Sequence, residues 1–216
     1  MEPSQMPYVL RQVKRVLASA KLTPPAKLLE VGCGMGRYTF SLARLGFDVE
    51  GQDLNEKLLE YFRGFDAGRF NIPVHCGDVA FPPEEHQLRY DAVLGFFVLH
   101  HMHDLSACFR GMFEVLKPGG TLIFVEPNPY NPLYYLQILL TPGMTWEGDK
   151  GMLGMTKKKI FSALNAAGFS DPQCERFGCL PPFLTNRWGG EKAEAVLEKI
   201  NPGPLRPFQI FRAKKL

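Results

Sequence analysis

Residues 28–40 read LLEVGCGMGRYTF. An aliphatic run with one acid, Glu30, breaks into three alternating glycines, Gly32, Gly34 and Gly36. The run from Ala26 to Val31 predicts a buried strand, because a strand covered on both faces is almost continuously apolar. Glycines directly after it accept φ > 0 and let a ligand approach the backbone with no Cβ in the way. In open α/β sheets, ligands bind beyond the carboxyl ends of the strands, where strand order reverses. This one stretch therefore predicts a fold and a place to look for its site.

Working outward, strand and helix alternate. Pro7 to Ala20 has helical apolar spacing at Tyr8, Val9, Val13, Val16 and Leu17, and Pro24-Pro25 ends that segment. Further strands are expected at Asp48–Leu54, Ile72–Val79, Tyr90–Leu99, Thr121–Val125, Gln173–Leu180 and Phe208–Ala213. Helices are expected at Arg37–Leu45, Glu56–Phe65, Leu105–Leu116, Lys157–Ala167 and Glu191–Ile200. Repeated strand-helix units with short joins specify an α/β, doubly wound, mostly parallel seven-stranded sheet. We expect a single domain over 1–216, with an N-terminal helix over 1–22. The rhythm fails over 127–155, where prolines and aromatics crowd. An insertion of about 30 residues exceeds an ordinary connection, so a lid or substrate element after strand 5 is expected.

Three acids end successive strands at one sheet edge. Glu30 repels a diphosphate and suits an ammonium group or another positive centre. Asp53, at the end of the second strand, suits a carboxylate accepting both ribose hydroxyl hydrogens. Asp78, in Cys76-Gly77-Asp78-Val79, can accept from an adenine amino group. A dinucleotide fingerprint wants its third glycine at position 37, where bulky Arg37 stands. That opposes a nicotinamide-dependent oxidoreductase.

The set Glu30-Val31-Gly32-Cys33-Gly34-Met35-Gly36, Asp53, Gly77-Asp78 and Asp91-Ala92-Val93-Leu94 with Leu99-His100-His101 resembles a class I S-adenosylmethionine-dependent methyltransferase. Leu116-Lys117-Pro118-Gly119-Gly120-Thr121-Leu122 matches the turn before the fifth strand in that family. The likeness is detailed over residues 26–126 and is to the small-molecule, type 11/12-like members. It implies a Rossmann-like methyltransferase fold and S-adenosylmethionine as cofactor, with S-adenosylhomocysteine as product. It implies that Gly32, Cys33, Gly34 and Gly36 line the methionine part, with Glu30 orienting the loop. Asp53 is then expected at the ribose, Leu54 beside the adenine, and Asp78 with Val79 at the adenine edge. Gly95 and Phe96, just past the fourth strand, are expected near the methionine carboxylate and amino group, although the family often has a polar residue in place of Phe96.

A sulfonium is already a strong methyl donor, so the protein mainly has to align an acceptor with it and exclude water. A hydroxyl or ammonium acceptor also needs a base, and His101 or His100 is the candidate at the ligand edge. His101 is preferred as cofactor-adjacent, since a continuing strand would turn the two histidines to opposite faces. Beside the base role stands the plainer one of capping a turn. His75 and His86 are read as structural or solvated. For the acceptor, the candidates are Tyr8, Glu126, Asn128, Tyr130, Tyr134 and Trp146, each weighed against simple packing.

A net charge of +3 argues against a large nucleic-acid surface, and no nucleic-acid module is visible. No apolar stretch approaches the ~18 residues of a membrane span, so no integral membrane segment is expected. Five cysteines without a CxxC pair give no disulfide framework and no metal site, and a cytoplasmic location follows. The expected activity is methyl transfer to an oxygen or nitrogen of a small-molecule or lipid-like acceptor. Aminopropyl transfer and a non-catalytic, regulatory S-adenosylmethionine-binding protein are the rivals. Oligomeric state and acceptor identity are not written in the chain.

Overall fold

A computed structural model describes residues 3–132, 135, 145–180, 182–187, 189–200 and 203–216. Seven strands form one sheet: β1 Lys27–Val31, β2 Asp48–Asp53, β3 Val74–Cys76, β4 Tyr90–Phe96, β5 Leu116–Pro127, β6 Ser170–Phe177 and β7 Phe208–Lys214. Their order is β3-β2-β1-β4-β5-β7-β6, parallel except for β7, which runs antiparallel to both neighbours. The reversal of order falls between β1 and β4, where Glu30 stands level with Leu94. That is the crevice in which such sheets bind ligands.

The helices are α1 Pro7–Ala20, α2 Thr39–Arg44, α3 Glu56–Asp66, α4 Leu105–Val115, α5 Trp146–Asp149, α6 Lys157–Ala166, α7 Pro182–Thr185 and α8 Gly190–Ile200. Alternating strand residues separate the core into two faces. Leu29, Val93, Leu122 and Phe211 meet α4 and α6 on one side. Leu28, Val49, Leu94, Ile123 and Ile210 meet α1 and the Leu42 side of α2 on the other. Polar side chains close the helix starts: Asn55 accepts from the amides of Lys57 and Leu58, and Asp104 from that of Ala107.

Several expected boundaries move. The third strand is confined to Val74–Cys76, between Pro73 and Gly77. The fourth stops at Phe96 instead of Leu99, because Phe97 takes φ +57 and turns the chain out of the sheet. The fifth starts early, at Leu116, and Pro118-Gly119-Gly120 is a bulge where the register jumps from Tyr90 to Ala92. The sixth is shifted toward the N-terminus and ends before Gly178, whose φ is +87 beside Phe208. Of the expected insertion over 127–155, residues 133, 134 and 136–144 lie outside the described residues, and Tyr134 with them.

Candidate active site

The glycine turn is built around its neighbours. Its first two amides, Gly32 and Cys33, both donate to the Gln52 carbonyl of β2, at 2.7 and 3.1 Å. The Asp53 carboxylate takes the third, Gly34 N–H, on Oδ2 at 2.8 Å, and its Oδ1 accepts from Asn55 N–H at 2.9 Å. Each carboxylate oxygen can accept more than one hydrogen bond, so Asp53 keeps capacity toward solvent. A Cβ on Gly32 would fall 2.3 Å from Val98 Cγ2, whereas one on Gly34 would meet nothing within 4 Å. The turn is thus packed at its base and open at its crest. Leu54 and Asp78 are exposed alongside it, and Asp78 Oδ1 accepts from Ala80 N–H at 2.9 Å.

Below the turn, Glu30 is 1% exposed and its Oε2 has no hydrogen-bond partner among the described residues. Burial pushes its carboxyl up to about 8, and the nearby Asp53 charge adds to the rise. An unpaired buried carboxylate is costly to leave alone. Cys33 turns its side chain inward, into the cluster of Phe40, Leu59 and Phe62, and burial raises its thiol far above the usual range. Gly36 is held against Phe40 and Phe62. Gly95 and Phe96 lie within β4 rather than past it. A Cβ on Gly95 would meet Phe124 and the Val31 carbonyl, and the Phe96 ring stacks on Tyr38 at 4.0 Å. Phe96 therefore turns its side chain to the core. Val79 is buried in the α4 side of the core.

The histidines are brought together by an acid from another strand. Residues Leu99–His101 form a single 3₁₀ turn. Glu126, 0% exposed at the end of β5, accepts from the amides of Val98 (2.9 Å) and Leu99 (2.7 Å) on Oε1. Its Oε2 lies 2.6 Å from His100 Nδ1, so that nitrogen is the donor to the carboxylate. The His101 ring packs on His100 with centroids 4.0 Å apart, and His101 is exposed. Both histidines thus sit on one turn, against the expectation of a continuing strand that sends them to opposite faces. His103 precedes α4, whose cap is Asp104. Since Val98 also abuts Gly32, the histidine turn and the glycine turn are in direct contact.

The acceptor candidates separate. Glu126 caps the histidine turn from within the core. Asn128 is 0% exposed, and its amide donates to the carbonyls of Pro204 (2.9 Å) and Arg206 (2.7 Å). Its side chain clips β5 to the approach of β7 and has no donor left for an acceptor. Tyr8 packs its ring on Phe208 at 5.9 Å, while Arg11 beside it pairs with Glu194 and Glu198 of α8. The N-terminal helix is therefore tied to α8 and β7, and its apolar face also packs on Tyr38, the second residue after Gly36. Tyr130 and Trp146 are exposed.

One cluster escaped sequence reading. Glu50 of β2 meets Lys27 Nζ (2.8 Å), Arg89, His75 Nε2 (2.9 Å) and Tyr90 Oη (2.8 Å), and the His86 ring packs on His75. Glu50, His75 and His86 offer donor atoms within 4.8 Å of one another, the spacing of a metal cluster. Two cations already neutralise the carboxylate, so the cluster reads as a polar plug. Period-two patterning cannot show it, because its members come from four separate segments.

Comparison with known proteins agrees with this geometry. Residues 29–124 match the family model described as a methyltransferase domain. The chain is 33% identical over 129 residues to the ubiquinone biosynthesis O-methyltransferase of Xanthomonas axonopodis pv. citri, covering 58% of this chain and 54% of that protein. A SAM-dependent methyltransferase from Archaeoglobus fulgidus superposes with TM-score 0.67 at 18% identity, covering 96% of this chain and 93% of that one. Phosphoethanolamine N-methyltransferase 2 of Haemonchus contortus, in complex with S-adenosyl-L-methionine, gives 0.66 at 16% identity, covering 95% and 52%. The chain spans about half the length of the curated relatives it matches. The fold is the Rossmann-like one of these enzymes. Over residues 29–124 the chain resembles a methyltransferase domain.

Proposed function

We propose that this protein binds S-adenosylmethionine along the glycine turn and transfers its methyl group to an oxygen or nitrogen of a small-molecule or lipid-like acceptor. The observation that carries this reading is Glu30, a buried carboxyl whose Oε2 has no hydrogen-bond partner among the described residues, under a turn left open at Gly34. A cationic methionine ammonium or sulfonium relieves that acid, whereas a pyrophosphate would be repelled by it. Asp53 is assigned to the ribose hydroxyls, and Leu54, Asp78 and Val79 to the adenine side. The backbone of Gly32, Cys33, Gly34, Gly95 and Phe96 lines the remainder.

When bound, S-adenosylmethionine supplies an activated methyl group for direct displacement, and no metal is called for. The chain's own work is orientation, exclusion of water and removal of one proton. His101 is assigned as base, since it stands exposed on the turn that touches the glycine loop. His100 stays buried, with Glu126 accepting from its Nδ1, and holds the neighbouring ring in place. We read the chain as one methyltransferase domain in which 1–22 and 127–155 frame the acceptor side.

The test is transfer of labelled methyl from S-adenosylmethionine into a cell extract. Label entering small metabolites or lipids is expected. Label in protein or nucleic acid, or cofactor binding without any transfer, would overturn the reading, the latter in favour of a regulatory binding protein. His101→Ala should cut turnover about 10²-fold with cofactor affinity unchanged. Equal losses in both would make His101 a contact residue.

A further inference from the structure

One row of register partners crosses the far half of the sheet: Glu126 on β5, Gln209 on β7 and Arg176 on β6. Residues opposite one another on adjacent strands project to the same face. Here the shared face is visible in the contacts. Glu126 reaches His100, and Gln209 Nε2 donates to the Met155 carbonyl at 2.6 Å, just ahead of α6. Arg176, next in the row, shares a groove with Lys157, the first residue of α6.

That groove, of about 380 Å³, is lined by Lys157, Cys174, Arg176, Gly203, Pro204 and Arg206. Three cations line it, and among the described residues no carboxylate does. Among the described residues their fixed contacts are to neutral groups. Arg206 donates to the carbonyls of Arg176 (2.9 Å) and Glu198 (2.6 Å). The Arg176 guanidinium lies over the Tyr130 ring at 5.4 Å, and Lys157 Nζ over that of Phe161 at 5.1 Å. Nε of Arg176 and of Arg206 are both buried without a hydrogen-bond partner among the described residues. Three like charges held side by side with no facing carboxylate among the described residues favour an anion in the space between them.

We propose that this groove is an anion subsite, holding a carboxylate or phosphate group of a soluble methyl acceptor. Strands lie ~4.8 Å apart, so Arg176 stands roughly 10 Å along the sheet from Glu126 and its histidine turn. Gln209 and Met155 are buried between them, so an acceptor anchored at Arg176 by its anionic end would have to pass over these two residues to reach the base. Tyr130, just past the end of β5, positions the guanidinium. The assignment to a methyl acceptor rests on the reading given above. The anion subsite itself does not.

The test uses the full chain loaded with S-adenosylhomocysteine, titrated with benzoate, inorganic phosphate and, as neutral control, benzyl alcohol. Backbone amide shifts are followed by NMR. Saturable shifts at residues 174–177 and 203–206 are expected with the two anions and not with the alcohol. Arg176→Gln and Lys157→Gln should each weaken benzoate at least fivefold, Arg176→Lys should restore most of it, and Lys158→Gln should change nothing. Melting temperatures of the variants check that each is folded. Equal response to benzoate and benzyl alcohol, or unchanged affinity in both glutamine variants, overturns the proposal. So does pelleting with phosphatidylglycerol vesicles without any response to soluble anions. Anion binding in protein that ignores S-adenosylhomocysteine would leave the subsite standing and remove the methyl-transfer reading.

Discussion

Glu30 and Glu50 occupy neighbouring strands, and each is 1% exposed, yet their surroundings drive them in opposite directions. At Glu50, burial pulls the carboxyl up. Hydrogen bonds from His75, Lys27, Arg89 and Tyr90 outweigh it and hold the group well below the usual carboxylate range. At Glu30 nothing comparable intervenes, and the carboxyl rises to about 8. Burial alone says little about a buried acid; the partners decide. Where the protein supplies all of them, the acid is structural. Where it withholds them, the acid is available to a ligand.

Three experiments bear on that contrast. The largest effect is expected from Glu50→Gln, which leaves Arg89 without its counter-charge and Lys27 with Asp48 alone. Breaking a buried ion pair from one side costs about 3 kcal/mol, and urea denaturation measures it. A loss under 1 kcal/mol would mean that the plug is solvated and the contrast is false. Next, Asp53→Ala should weaken S-adenosylhomocysteine by about 2 kcal/mol. Calorimetry giving wild-type affinity would remove Asp53 from the ribose.

The smallest and most pointed effect is in pH. Glu30 is raised on folding, so the stability tied to its protonated form is complete below the ordinary carboxylate range. That stability is lost as pH climbs toward about 8. Glu50 is lowered, so its contribution is present above that range and lost on acidification. Unliganded protein should lose stability from pH 5 to 8, by at most about 1.4 kcal/mol per unit for one proton, and Glu30→Gln should flatten that slope. An identical slope in the variant would show that Glu30 is not the group responsible.

Much of this was legible in the chain. The apolar runs with their glycine stops give the succession of strands and the doubly wound, mostly parallel class of the sheet. What escaped reading depends on partners remote in sequence. Nothing near Leu99 signals that the strand has already ended, since the cause is a carboxylate on β5 together with a left-handed Phe97. Asn128 looked available for an acceptor until the carbonyls of Pro204 and Arg206 claimed its amide. Tyr8 reads from sequence as an acceptor candidate, and neither its packing partner nor those of Arg11 can be seen locally. Their true neighbours, Phe208, Glu194 and Glu198, lie at the other end of the chain. Local pattern reports which face is apolar; it does not report which polar group across the fold is waiting.

Gly151 belongs to the 3₁₀ segment Lys150–Gly154, which closes the stretch after α5. A Cβ there would come within 1.9 Å of the His100 carbonyl, so that segment leans backbone against backbone on the turn that carries both imidazoles. With no cushion of side chains between them, the two cannot be remodelled separately. Any change of sequence that reshapes this segment must also shift the two imidazoles on the turn it braces.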